Sequence, residues 1–112
     1  MPEPKHESPR DWPGVGSLDR LLDHRTRLAV CVLLSRAEAL SFARLKDLLQ
    51  ETDGSLGAHL QKLEEAAYIG VRKEFRDRKP ISWYVLRAKG RKALLAHLYS
   101  LTQLIDHAQP PG

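Results

Sequence analysis

The side chains with the clearest chemical potential in this sequence are basic residues crowded into one segment. Between Arg72 and Lys92 the chain carries nine lysine or arginine residues and two acidic ones, a net charge of +7 in a chain whose total is +4. Guanidinium and ammonium groups bind phosphates, and a concentrated basic patch is typical of proteins that bind polyanions. Solvated basic faces are also common, so the patch alone leaves the partner open.

The pattern around these residues predicts a β-hairpin. Ile69, Val71 and Phe75 alternate with polar residues, and the stretch ISWYVL (81–86) has the β-branched and aromatic residues that strands favour. The interruption RDRKP (76–80) predicts the turn, and its proline limits the second strand to an edge or to its first position. An exposed tip can lie along a phosphate backbone. The basic side chains that we predict to contact phosphates are Arg72, Lys73, Arg76, Arg78 and Lys79.

Two short helical patterns joined by a tight turn precede the hairpin. Ser41 can cap a helix over FARLKDLLQ, and after the turn ETDG a second helix begins with Thr52 or Asp53 as its cap. The second helix has an apolar stripe, and its opposite face begins with small, uncharged or basic residues. This arrangement is typical of a helix-turn-helix with a recognition helix. An ordinary amphipathic helix with a solvated face shows the same pattern. The candidate DNA contacts on this helix are Ser55, Gly57, Ala58, His59, Gln61 and Lys62.

The remaining segments define the limits of the domain. Residues 1–16 hold four of the seven prolines and two glycines, which predicts a flexible arm, and residues 109–112 are expected to form a short tail. Ser17 is a candidate cap for a first helix that continues through HRTRLAVCVLLSRAEA, with a kink or a true division near His24. The folded domain is therefore expected over residues 17–108.

The last predicted helix, RAKGRKALLAHLYSLTQLID, carries a stripe of apolar residues at a 4, 3, 4 spacing, which is typical of helices that pair with one another. A small domain offers a limited core to receive this stripe, so we expect it to pair with the same helix of a second copy. Packing onto its own core is the alternative. The predicted dimer interface consists of Leu94, Leu98, Leu101 and Ile105.

Composition argues against several other functions. A chain of 112 residues has room for one domain with a modest core. No apolar run approaches the ~20 residues that cross a membrane, the N-terminus resembles no secretory signal, and the single cysteine, Cys31, cannot form an internal disulfide. We therefore expect a cytoplasmic protein that binds no membrane. Within LAVCVLL, Cys31 is expected to be a core side chain.

Enzymatic and metal chemistry find little support in the sequence. It contains no glycine-rich phosphate loop, no paired carboxylates in an apolar setting and no nucleophile beside an evident base. Its five histidines show no spacing of metal ligands. We expect no catalytic activity, no cofactor and no metal.

Three motifs within residues 25–100 resemble short winged-helix transcriptional regulators related to the MarR and ArsR families. They are LxxHLxxLExAxYI, which starts at Leu56, the RKP of the hairpin, and YxLxxKGRxAL, which starts at Tyr84. The chain departs from the family pattern in two places. Ala67 stands where these regulators usually carry glycine, and Gly57 stands where serine is common.

The resemblance implies an α+β, mainly helical fold: a winged helix-turn-helix with a C-terminal dimerisation helix. It further implies a sequence-specific regulator, with repression the expected mode, that binds double-stranded DNA at a pseudo-palindromic operator as a homodimer. Two alternatives stay open. One is a winged-helix module that binds protein or RNA, and the other is a small-molecule-responsive regulator with its effector site at the dimer interface. The operator, the target genes and the effector are not specified by the sequence.

Overall fold

The computed structural model describes residues 15–109. In chain order the elements are α1 (Arg25–Ser35), β1 (Leu40–Ser41), α2 (Phe42–Leu49), α3 (Asp53–Glu65), β2 (Ile69–Arg76), β3 (Lys79–Leu86) and α4 (Ala88–Ala108). This is the element order of a winged helix, so the predicted α+β fold is confirmed. Most of the predicted arm (1–14) and of the predicted tail (110–112) lies outside the described residues.

The first helix begins later in the chain than the sequence predicts. Ser17 is not its cap, because the Ser17 hydroxyl lies 2.6 Å from the hydroxyl of Ser100 and the residues around it form turns. Helix α1 starts at Arg25, where His24 is the N-cap and its Nδ1 accepts a hydrogen bond from the Thr26 N–H at 3.1 Å. The break near His24 is therefore a true division.

A polar cluster anchors the segment before α1. The Asp19 carboxylate accepts hydrogen bonds from the backbone N–H groups of Leu21 and Leu22 and from the Tyr68 hydroxyl. The backbone N–H of Asp19 donates to Nδ1 of the buried His97 at 2.9 Å. Burial and then the bond to Asp19 raise the pKa of Tyr68 to about 12, so its hydroxyl stays protonated at neutral pH. The cluster thus ties the start of the domain to α4 and to the residues that follow α3.

The hydrophobic core lies between the helices and one face of the sheet. Of the apolar stripe predicted for α3 (Leu56, Leu60, Leu63 and Ala67), the three leucines are fully buried, whereas Ala67 is exposed and lies beyond the end of the helix. Cys31 of α1 lies in the same core, as predicted, and burial raises the pKa of its thiol to about 12. The thiol is therefore protonated and enclosed at neutral pH, which makes it a poor nucleophile.

The sheet has the strand order β1–β3–β2 and is antiparallel. The hairpin runs from Ile69 opposite Leu86 to Arg76 opposite Lys79. The two-residue strand β1 was not predicted, and it pairs with β3 only near the base of the hairpin. The expectation that Pro80 makes this strand an edge strand or occupies its first position is wrong, because β3 is central and begins at Lys79. Pro80 is tolerated because it lies where β3 extends beyond β1 and has an open edge.

Helix α4 starts in close contact with the chain that follows α3. A Cβ at Gly90 would lie 2.1 Å from the carbonyl oxygen of Tyr68, so no side chain fits there. One turn later Leu94 is 2% exposed and belongs to the core of its own domain. This corrects the assignment of Leu94 to the dimer interface, because its side of the helix packs inward. No helix in residues 15–109 has the length and apolar character to span a membrane.

Helix α3 ends with an alanine in the left-handed conformation. Ala67 has a φ of 62°, its N–H donates to the Glu64 carbonyl, and the Tyr68 N–H donates to the Leu63 carbonyl, both at 2.9 Å. This is the Schellman arrangement, in which glycine is usual at the left-handed position. A Cβ in that conformation costs about 1 kcal/mol.

We expect Ala67→Gly to raise the free energy of unfolding by about 0.5 to 1 kcal/mol, because the substitution relieves the left-handed Cβ. Urea unfolding followed by circular dichroism measures the change. The control is Ala66→Gly, at a neighbouring residue with a right-handed φ of −81°, which should destabilise the domain. A less stable Ala67→Gly protein would contradict this account of the helix end.

Candidate nucleic-acid interface

Helix α3 presents small and polar residues on the side opposite its buried leucines. Gly54, Ala58, Gln61 and Lys62 are all exposed. A Cβ at Gly54 or Gly57 would meet nothing within 4 Å, so packing within the domain does not require either glycine. A helix front this small lets a partner approach the backbone closely.

Two of the predicted α3 contacts are engaged inside the domain. The Ser55 side chain hydrogen-bonds Glu51. The His59 ring lies 4.2 Å from the His24 ring, and its Nδ1 is 3.0 Å from the Arg27 guanidinium. Burial, followed by electrostatic interaction with His24 and Arg27, lowers the pKa of His59. His59 therefore packs against the start of α1, a contact between segments far apart in the chain. Within residues 15–109 no group of three or more histidine, cysteine or carboxylate side chains is placed to hold a metal ion.

Gln61, at the centre of the exposed α3 face, has its amide oriented by a neighbour. Its Nε2 donates to the Glu65 carboxylate at 3.2 Å, one helical turn later. Because a carboxylate only accepts hydrogen bonds, this contact directs the amide nitrogen along the helix and leaves the carbonyl oxygen available to a partner. The face thus offers a hydrogen-bond acceptor at its centre, with Glu64 and Glu65 exposed at its C-terminal end.

Glu51, in the turn between α2 and α3, fixes the start of α3. Its carboxylate accepts a hydrogen bond from the Thr26 hydroxyl at 2.7 Å and another from the Ser55 side chain. These two bonds are the main reason that the pKa of Glu51 is lowered. Thr52 then caps the helix, since its Oγ1 accepts the Ser55 N–H at 3.1 Å. One carboxylate therefore links α1 to the first turn of α3.

The hairpin closes with a two-residue turn in which both residues are left-handed. Asp77 has a φ of 49° and Arg78 a φ of 65°, between the paired Arg76 and Lys79. Two positive φ angles define a type I′ turn, which suits the twist of a hairpin and favours asparagine and glycine. An arginine there costs about 1 kcal/mol. Its side chain is thereby held at the apex of the hairpin.

The alternation of side chains along β2 divides the predicted basic set between two faces. Arg72 and Arg76 share one face with Glu74, whose carboxylate lies 3.3 Å from the first guanidinium and 3.9 Å from the second. The same carboxylate accepts the Trp83 indole N–H at 3.1 Å. Lys73 lies on the opposite face. The sequence predicts one phosphate-binding set, whereas the period-two geometry of a strand divides that set between two faces.

An open groove of about 510 Å³ joins the front of α3 to the hairpin. Its lining includes Gly57, Gln61 and Glu64 from α3 and Tyr84 from β3. Tyr84 lies on the same face of the hairpin as Lys73, because Tyr84 and Ser82 are alternate residues of β3 and Ser82 pairs with Lys73. The helix front and this hairpin face are therefore adjacent parts of one surface.

Exposed apolar side chains gather on α4. Leu95, Tyr99 and Ile105 are 62%, 65% and 59% exposed, and Leu98 is 37% exposed. Leu101 is half-buried beside them. Three members of the predicted dimer stripe thus remain accessible, and Tyr99 is an exposed aromatic residue that the stripe did not include.

Comparisons with known proteins identify relatives in sequence and in fold. The family model described as "Winged helix DNA-binding domain" matches residues 26–105. The chain is 31% identical over 85 residues to the uncharacterized protein MJ0432 of Methanocaldococcus jannaschii, a match that covers 76% of this chain and 92% of that protein.

Solved structures share the fold at lower identity. A transcriptional regulator homologue from Pyrococcus horikoshii OT3 has a TM-score of 0.76 at 24% identity, over 82% of this chain and 91% of that one. ZitR, a zinc-responsive MarR family member from Lactococcus lactis, has a TM-score of 0.56 at 20% identity, over 73% of this chain and 56% of that one. The likeness to MarR-type winged-helix regulators suggested by the motifs is therefore confirmed at the level of the fold.

The lowered pKa of Glu51 predicts a pH-dependent contribution to stability. A carboxyl group whose pKa is lower in the folded protein than its ordinary value of 4.5 stabilises the folded state at pH values above 4.5. This stabilisation is lost as the pH falls through the pKa of the folded protein. We expect Glu51→Gln to melt at a lower temperature than the unmodified protein near pH 7, with a difference that narrows in acid. Thermal melts across this range measure the difference. The control is Glu38→Gln, at an exposed carboxylate, and a difference for Glu51→Gln that is constant with pH would contradict the account.

Proposed function

This chain belongs to the winged helix DNA-binding domain family, and from that premise we propose that it is a sequence-specific DNA-binding transcriptional regulator. The observation that carries the proposal is the groove that joins the small, polar front of α3 to Tyr84, on the face of the hairpin that also carries Lys73. One continuous surface can then contact the major groove and the neighbouring backbone of a duplex. Winged-helix regulators are typically not enzymes, and we propose no catalytic role.

In the proposed complex, the front of α3 enters the major groove. Ala58 is suited to apolar contact with a thymine methyl group, and the outward oxygen of Gln61 to accepting a hydrogen bond from an adenine or cytosine amino group. Lys62 and the basic residues of the hairpin supply phosphate contacts. Ser55 contributes indirectly, because its bond to Glu51 helps fix the first turn of α3. This division assigns specificity to the helix and most of the affinity to the hairpin.

We further propose that the regulator is a homodimer paired through α4. The exposed Leu95, Leu98, Tyr99 and Ile105 support this, since a second copy would remove them from water. A two-fold dimer would place two recognition helices at half-sites about 34 Å apart, and so would select a pseudo-palindromic operator. Repression in the cytoplasm by occupancy of such a site is the mode that we propose.

The proposed roles of the hairpin and of Gln61 predict different defects. Replacement of Arg76, Arg78 and Lys79 with alanine should weaken binding to all duplexes and flatten the slope of log K against log salt by about 2 to 3 units per protomer, because three phosphate contacts are lost. Gln61→Ala should leave that slope unchanged and relax preference at one base position per half-site. Fluorescence anisotropy at several salt concentrations, with duplexes selected from a random pool, measures both. A triple variant that binds as tightly as the unmodified protein would contradict the phosphate assignment.

The proposed α4 interface predicts a monomeric variant. Leu98→Glu combined with Ile105→Glu should convert a dimer into a monomer of 12.7 kDa, because two carboxylates would be buried at the seam. Sedimentation equilibrium at micromolar concentration measures the mass, and circular dichroism checks the fold. Ala96→Glu, at an exposed α4 position on the side of the helix away from Leu98 and Ile105, is the matched control. An unmodified protein that sediments as a monomer would contradict the proposed homodimer.

A further inference from the structure

Phe75, near the apex of the hairpin, is the most exposed large apolar side chain in residues 15–109, at 78%. Its cross-strand partner, Pro80, is exposed as well. The two form a small apolar patch at the end of a ribbon that is otherwise polar. Full burial of a phenylalanine side chain is favourable by about 1.5 to 3 kcal/mol, so a partner that covered this patch would gain affinity from it.

The position of Phe75 in the strand determines which way the patch faces. Alternation puts Phe75 on the same face as Lys73, and that face continues to Tyr84 and the groove beside α3. The ion-paired side chains of Arg72 and Glu74 lie on the other face. The phenyl ring is therefore on the face of the hairpin that adjoins the proposed recognition surface, beyond the groove.

The charges around the patch indicate the chemistry of its occupant. Lys73 lies on the same face as the patch, and Arg78 lies in the adjoining turn beside one carboxylate, Asp77, while the paired Arg76 and Lys79 lie on the opposite face of the ribbon. An occupant that fits these neighbours is an anionic polymer that also presents apolar surface. The minor groove of a duplex has this composition, because phosphates line its edges and deoxyribose rings form its walls.

We propose that Phe75 is an apolar wedge that packs against deoxyribose and base edges in the minor groove adjoining the major groove occupied by α3. This inference rests on the proposed function, since it takes duplex DNA as the partner. Apolar side chains in minor grooves partly unstack base steps and bend the duplex. A contact of this kind releases no counterions, so it adds affinity that is independent of salt.

The test compares Phe75→Ala with Arg78→Ala in binding to a selected duplex over a range of salt concentrations. Phe75→Ala should weaken binding by about 10-fold, the equivalent of about 1.4 kcal/mol of lost burial, with an unchanged salt slope. Arg78→Ala should reduce the slope by about 1 per protomer. Phe75→Leu should recover most of the affinity. Val85→Ala, at an exposed apolar residue on the opposite face of the hairpin, is the control and should bind as the unmodified protein does.

The outcomes separate this inference from the proposed function. If Phe75→Ala binds normally while Arg78→Ala is weakened, the wedge is wrong and DNA binding stands. If the unmodified protein binds no duplex, both are wrong. If Phe75→Ala sediments as a monomer without DNA where the unmodified protein is a dimer, the patch contacts a second copy and the wedge is wrong. If Phe75→Ala loses binding to phosphatidylserine vesicles while its duplex affinity is retained, the patch contacts a membrane and the wedge is again wrong.

Discussion

Burial of one leucine stripe constrains every surface of this domain that could face a partner. Leu56, Leu60 and Leu63 are fully enclosed, and each contributes about 1.5 to 3 kcal/mol of burial. Because residues of an α-helix are about 100° apart, a rotation of α3 by one residue would bring leucines into water. The face that carries Gly57 and Gln61 is therefore held outward. The Thr52 cap and the Glu51 carboxylate then fix where the helix starts, as the leucine stripe fixes its rotation.

The C-terminal end of α3 is connected to the rest of the molecule by a hydrogen bond and by a close steric fit. At its C-terminal end the Tyr68 hydroxyl donates to Asp19, and the Tyr68 carbonyl leaves no room for a side chain on Gly90 of α4. The orientation of α3 is thus directly coupled to that of α4, the helix proposed to form the dimer. In the hairpin, period-two alternation separates ion-paired arginines from the face that carries Phe75, so one ribbon offers electrostatic and apolar contacts in different directions.

Local signals predicted much of this arrangement. The Ser41 and Thr52 caps, the leucine spacing of α3 and the alternation of β2 depend on neighbours in sequence, and the structure has these elements where they were expected. Contacts between distant residues were not predictable in this way. Three such contacts join segments with no shared sequence signal: the bond from Asp19 to His97, the contact of His59 with His24 at the start of α1, and the pairing of β1.

Other differences had a signal that was ambiguous or overlooked. The 4, 3, 4 spacing on α4 fits a buried stripe as well as a dimer seam, and Leu94 takes the buried role. The division of the basic residues between two hairpin faces follows from strand periodicity alone, so the sequence could have revealed it.

The central claim is that the α3 front and the hairpin apex form one DNA-binding surface. Amide NMR shifts during titration with a selected duplex test it most directly: the account predicts that Gly57 and Arg78 shift together with one stoichiometry while Glu38 stays unchanged. Shifts confined to one element, or shifts of the two at different DNA concentrations, would contradict it.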